Sequence, residues 1–208
     1  MTITQCTNGK GSKSIGEKVL ITGGAGYIGS SLVPILLERG YEVFVFDKFE
    51  YGIFPLLSVA SDPNLHIIRG DICDKSQLKA AITDDIGAVV HLAAIVGYPA
   101  CDRDQALAVE VNEIGTSNVV DLIQDHQKLI FASTGSCYGA IVQMMPFQCG
   151  LNLSGNGEDR DKRDYEVSYE KIKKLGFRST ITLEEGIEEL LKTLPQMSQW
   201  EIKLSKNI

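Results

Sequence analysis

A short apolar run, Lys18–Thr22 (KVLIT), passes without a break into Thr22-Gly23-Gly24-Ala25-Gly26-Tyr27-Ile28-Gly29. Glycines at this spacing say little alone. A buried strand before them and a helix after them restrict what the backbone can do. Gly23 lets the chain turn sharply out of the strand, and Gly26 leaves no side chain in the way of an approaching pyrophosphate. Gly29 lets the helix pack close to the sheet. The N–H groups at the helix start, those of Tyr27, Ile28 and Gly29, then point at the phosphates, aided by the helix dipole.

The next constraint is Asp47, which closes the second apolar run, Glu42–Asp47 (EVFVFD). A carboxylate there accepts hydrogen bonds from both adenosine ribose hydroxyls and repels a 2′-phosphate, which favours NAD over NADP. Lys48 beside it softens that preference, because a cation tolerates the extra phosphate.

The rest of the first 134 residues alternates in the manner of a parallel α/β sheet. The pattern predicts a helix over Gly26–Arg39 closed by Gly40, with Pro34 disturbing it locally. Three further strands are expected at His66–Ile72, Ala88–Ala94 and Lys128–Thr134, with helices at about Lys75–Thr83 and Asp104–Asp125. Five strands with intervening helices make a Rossmann-type doubly wound α/β fold. Residues 140–164 carry no strand or helix pattern and read as an irregular linker. Tyr165–Leu175 reads as a short strand running into a helix. Thr182-Leu183-Glu184-Glu185 is a capping box opening a helix to about Leu194, with Pro195 after it. The expected organisation is a flexible tail over 1–16, the nucleotide domain over 17–139, the linker, and a C-terminal helical segment over 165–208.

Charge and cysteine usage exclude several classes. The net charge is -7 with no basic block, so nucleic-acid binding through phosphate neutralisation is not expected. Residues 1–16 are polar, without the apolar stretch of a signal or membrane span. The five cysteines form no Cys-x-x-Cys pair, so neither a disulfide framework nor a metal site follows, and a reducing cytoplasm is expected.

TGGAGYIG at 22–29 resembles the cofactor loop of the extended short-chain dehydrogenases, the sugar-nucleotide epimerase and dehydratase family. Asp47, Gly70-Asp71-Ile72, His91-Leu92-Ala93-Ala94, Asn112, Ser133-Thr134 and Tyr138-Gly139 fall in the family's order, over about residues 17–139. The resemblance implies that Asp71 and Ile72 flank the adenine, and that Leu92, Ala93 and Ala94 line the cofactor ribose. It assigns Thr134 to hydrogen-bond the reacting oxygen and Ile95–Cys101 to face a nucleotide-sugar substrate. A homodimer paired through the 104–125 helix is a further expectation. From the residues themselves, His91 reads as a satisfied strand histidine, Asn112 as a local hydrogen-bonder, and Met144 and Met145 as packing residues.

The family's Tyr-x-x-x-Lys pair has no match where the resemblance places it. There a tyrosinate takes the substrate proton and a lysine one turn on lowers its pKa. The spacing recurs once, at Tyr169 and Lys173, in a stretch resembling the C-terminal end of family members, which implies that residues 165–208 are a remnant of the C-terminal substrate lobe. The dehydratases' Asp-Glu pair after Thr134 is replaced by Gly135 and Ser136. Three readings therefore stand: an NAD-binding member with impaired or absent catalysis, an active enzyme using Tyr169 and Lys173, and a non-catalytic regulatory or interaction protein.

Overall fold

A computed structural model describes residues 17–133 and 168–193. The chain divides into two compact units between Ala132 and Ser133. In the first unit β1 (Lys18–Thr22), β2 (Glu42–Asp47), β3 (Leu65–Arg69), β4 (Ile86–His91) and β5 (Lys128–Phe131) form one parallel sheet of order β3-β2-β1-β4-β5. All five expected strands are present.

Side-chain alternation along the strands feeds two cores, one on each face. Val19 and Ile21 of β1 point to one face with Val43 and Val45, where they meet Val33 and Leu37 of α1 (Tyr27–Glu38). Leu20, Phe46 and Val89 point to the other and meet Leu78 of α2 (Lys75–Ala81) and Val119 of α5 (Thr116–Leu122). Helices on both faces explain why the central strands are apolar throughout rather than alternating. Each such side chain contributes about 1.5–3 kcal/mol by leaving water.

α1 runs through Pro34 without a break; the ring removes only the amide that would have reached the Ser30 carbonyl. Its end is a Schellman motif, with Gly40 at φ +85°, Tyr41 N–H donating to Leu36 O at 3.1 Å and Gly40 N–H to Leu37 O at 2.9 Å. Asp74 caps α2 by accepting the Ser76 and Gln77 amides.

Several boundaries differ from expectation. β3 stops at Arg69 and not Ile72, because its ladder partner β2 ends at Asp47, opposite Arg69. β4 stops at His91, so Leu92–Ala94 form a loop beyond the sheet. β5 stops at Phe131. The helix expected over 104–125 is a succession: α4 (Gln105–Val109), a π-helical segment (Glu110–Gly115) and α5. α3 (Tyr98–Arg103) precedes it, and a 3-10 turn (Phe54–Val59) joins β2 to β3; neither was expected.

The second unit holds α6 (Glu170–Lys174) and α7 (Leu183–Thr193). The capping box forms as expected: Thr182 N–H donates to Glu185 Oε2 at 2.7 Å and Glu185 N–H to Thr182 Oγ1 at 3.2 Å. Gly176 closes α6 with a second Schellman motif. No helix among the described residues is long and apolar enough to cross a membrane.

Candidate functional site

Strand order reverses at β1, whose neighbours β2 and β4 lead to opposite sides of the sheet. Ligands of open parallel sheets lie at the carboxyl ends of the strands flanking such a point. A cleft of about 370 Å³ opens there. Its walls include Gly23, Gly26, Tyr27, Ile28, Gly29, Asp47, Lys48, Asp71, Ile72, Leu92, Ala93 and Ala94, so the structure brings the twelve expected cofactor positions around one space.

The glycine turn is built by close approach. Gly23 has φ +72°, and a Cβ on it would lie 2.6 Å from the Ala93 nitrogen. A Cβ on Gly29 would lie 2.3 Å from the Gly24 carbonyl oxygen. Neither position accepts a side chain without backbone movement. The first amide bond of the following helix is Ser30 N–H to Gly26 O at 2.8 Å, so the N–H groups of Tyr27, Ile28 and Gly29 have no acceptor within α1. The helix has no side-chain cap and no acidic residue in its first turn. A pyrophosphate fits this arrangement: the donors and the dipole face the cleft, and no carboxylate competes.

Asp47 is held by two backbone amides. Ala25 N–H donates to Oδ2 at 3.0 Å and Phe49 N–H to Oδ1 at 2.6 Å. Each oxygen keeps acceptor capacity for a further donor, as two ribose hydroxyls would supply. Phe49 reaches this geometry at φ +58°, a left-handed conformation that costs a non-glycine residue about 1–2 kcal/mol. Its buried ring in the α1-side core and the Arg69 guanidinium 4.9 Å from the ring centroid hold it there. Sequence reasoning missed Phe49, since nothing in the sequence asks phenylalanine to adopt a glycine-like φ.

Lys48 does not stand free beside Asp47. Its ammonium lies 3.2 Å from Glu50 Oε1 and 3.3 Å from Asp71 Oδ2. The Glu50 contact, more than any other, raises the Lys48 pKa above 10.5. At Asp71 burial works against ionisation, but the Cys73 amide and Lys48 outweigh it and hold the carboxyl below its ordinary range. Burial, then Asp71, pushes the neighbouring Cys73 thiol up to about 11, so it stays protonated.

Beneath the cleft floor Thr22 Oγ1 lies 2.6 Å from His91 Nδ1, and His91 Nε2 lies 3.0 Å from Thr116 Oγ1. Burial lowers the His91 pKa below 6.5, so the ring is neutral and satisfied on both nitrogens. Asn112, at the centre of the π-helical segment, makes a two-way contact with one residue. Its Oδ1 accepts Ile95 N–H at 2.8 Å and its Nδ2 donates to Ile95 O at 2.9 Å. That pair fixes the loop beyond β4, where Ile95 and Val96 continue the cleft wall.

The remaining assignments lie elsewhere. Thr134, Tyr138, Gly139, Met144, Met145 and the expected linker lie outside the described residues. Tyr169 and Lys173 belong to the second unit. Tyr169 is the N-cap of a five-residue helix with its ring exposed, and Lys173 Nζ contacts Glu170 Oε1 at 3.4 Å. No cluster of three or more metal-ligating side chains occurs among the described residues.

Comparison with known proteins supplies the lineage. The profile of the NAD dependent epimerase/dehydratase family matches residues 19–168. UDP-glucose 4-epimerase 3 of Oryza sativa subsp. japonica is 32% identical over 142 residues, covering 64% of this chain and 38% of that protein. Among solved structures, the chain resembles a double mutant of DesIV, a dTDP-glucose 4,6-dehydratase from Streptomyces venezuelae with NAD and DAU bound. The TM-score is 0.54 and the identity 32%, over 60% of this chain and 41% of that one. It also resembles the Bordetella bronchiseptica enzyme WbmG in complex with NAD, with TM-score 0.52 and 34% identity, over 61% of this chain and 40% of that one. The chain thus spans about two fifths of the length of these relatives.

Proposed function

Because the chain belongs to the NAD dependent epimerase/dehydratase family, we propose that its first unit holds NAD in the cleft at the carboxyl ends of β1, β2 and β4. One observation carries the reading: the uncapped start of α1 and the amide-held carboxylate of Asp47 face the same cleft. The amides of Tyr27, Ile28 and Gly29 bind pyrophosphate, and Asp47 binds the adenosine ribose. Asp71 and Ile72 flank the adenine, and Leu92, Ala93 and Ala94 line the remaining ribose wall. Bound NAD would supply hydride acceptance from a substrate carbon.

The lineage points to nucleotide sugars as the substrate class. Catalysis in this chain is weak or absent in the same reading. A tyrosine that removes a substrate proton needs a cation lowering its pKa. Thr134 would bond the reacting oxygen only beside such a pair. The one lysine at the Tyr-x-x-x-Lys spacing in the sequence, Lys173, lies on a five-residue helix with its exposed ammonium 3.4 Å from Glu170 Oε1. Exposed Val109, Ile114 and Val120 along residues 105–122 suit pairing of two copies there.

The test is turnover alongside binding. Titration with NADH should give saturable binding, and incubation with NAD and UDP-hexoses should give little epimerisation. An epimerase rate abolished by Tyr169→Phe would overturn the catalytic half of the reading and favour the active alternative.

A further inference from the structure

Resting on the reading that the cleft holds a dinucleotide, we propose that Glu50 and Asp71 make the site selective for an unphosphorylated adenosine ribose by neutralising Lys48. The residue after the ribose-binding acid decides how a 2′-phosphate is received. A free ammonium there would offset Asp47 and admit the phosphate. Here the ammonium sits between two carboxylates, 3.2 Å from Glu50 and 3.3 Å from Asp71. All four groups border the same cleft. Three carboxylates against one ammonium leave that end of the cleft anionic, and a phosphate monoester entering it meets net repulsion.

The neighbouring cation is engaged too. Arg69 donates from its guanidinium to the Lys48 carbonyl at 2.8 Å and lies over the Phe49 ring. It supports the backbone of the Asp47–Phe49 turn. Lys48, its pKa raised chiefly by Glu50, stays charged throughout the physiological range. The Lys48–Asp71 pair also joins the stretch after β2 to the stretch after β3. Glu50 thus acts through Lys48 as a positioning residue and needs no contact with the dinucleotide. Because these side chains are half exposed, salt screens the effect.

The test is the ratio of NADPH to NADH dissociation constants, measured by fluorescence for the 208-residue chain, Glu50→Gln, and Glu50→Gln with Lys48→Ala. The single variant keeps shape and removes the carboxylate charge, so NADPH should gain about five-fold relative to NADH at low salt. The gain should vanish in the double variant and shrink at high salt. An unchanged ratio in Glu50→Gln, or a gain that survives in the double variant, overturns the inference while NADH binding itself still stands. If the unaltered chain binds neither dinucleotide, the cofactor reading fails and takes this inference with it.

Discussion

The carboxylate of Asp47 accepts the backbone N–H of Ala25 at 3.0 Å, joining the end of β2 to the glycine turn after β1. The same carboxylate accepts Phe49 N–H, so one side chain organises both turns that border the adenosine end of the cleft. Asp47→Asn presents an NH2 group to one of these two donors. It should cost about 1–3 kcal/mol in urea unfolding. A change below a few tenths of a kcal/mol would show that the turns hold their shape without it.

Gly29 and Gly40 separate two reasons for being glycine. A Cβ at Gly29 meets the Gly24 carbonyl at 2.3 Å, whereas Gly40 has open space around it and only a φ of +85° to satisfy. Gly29→Ala should therefore cost about 3 kcal/mol, since backbone must move. Gly40→Ala should cost about 1 kcal/mol. Equal losses in chemical denaturation would contradict the packing argument.

What could be read from the sequence shares one property: it depends on neighbouring residues. The glycine turn, the position of Asp47 at the end of an apolar run and the Thr182–Glu185 capping box are all local, and each stands as expected. The end of β4 differs because the apolar residues Leu92–Ala94 continue past His91, where its partner β1 stops, and β3 ends at Arg69 because β2 stops opposite it at Asp47. The state of Lys48 could not be read at all. It depends on Asp71 being brought alongside by the β2–β3 pairing, and on Glu50 being turned back by the left-handed Phe49. The π-helical segment was equally hidden, since a wider turn leaves the apolar spacing of a helix nearly unchanged.

Asn112 should control the order of the loop beyond β4. Asn112→Asp keeps an acceptor for Ile95 N–H but sets a carboxylate against Ile95 O, and Asn112→Leu removes both bonds. Hydrogen exchange of the Ile95 amide should accelerate about five-fold or more in the leucine variant, for a loss of about 1 kcal/mol. Exchange unchanged from the parent chain would mean that the loop is fixed by packing alone.

Acid should weaken the sheet through His91. Its folded pKa lies below the ordinary 6.5 because burial disfavours the imidazolium, so the unfolded chain takes up the proton first. The stability it contributes is complete above 6.5 and is lost as pH falls from there through the folded-state pKa. The depressed carboxyls of Asp71, Asp74 and Asp85 act only below 3.8, a separate window. Thermal unfolding of His91→Asn should show a lower midpoint but a flatter profile just below 6.5. A slope there as steep as the parent's would assign the effect to another group.

Calorimetric titration of the chain with NAD, beside Asp47→Asn checked for folded secondary structure by circular dichroism, tests the central claim most directly. The account predicts saturable one-site binding by the parent chain and a loss of at least about ten-fold in the variant, as expected when one of two charge-assisted hydrogen bonds to ribose is removed. A folded parent chain with no heat of binding, or a variant that binds as tightly as the parent, would contradict it.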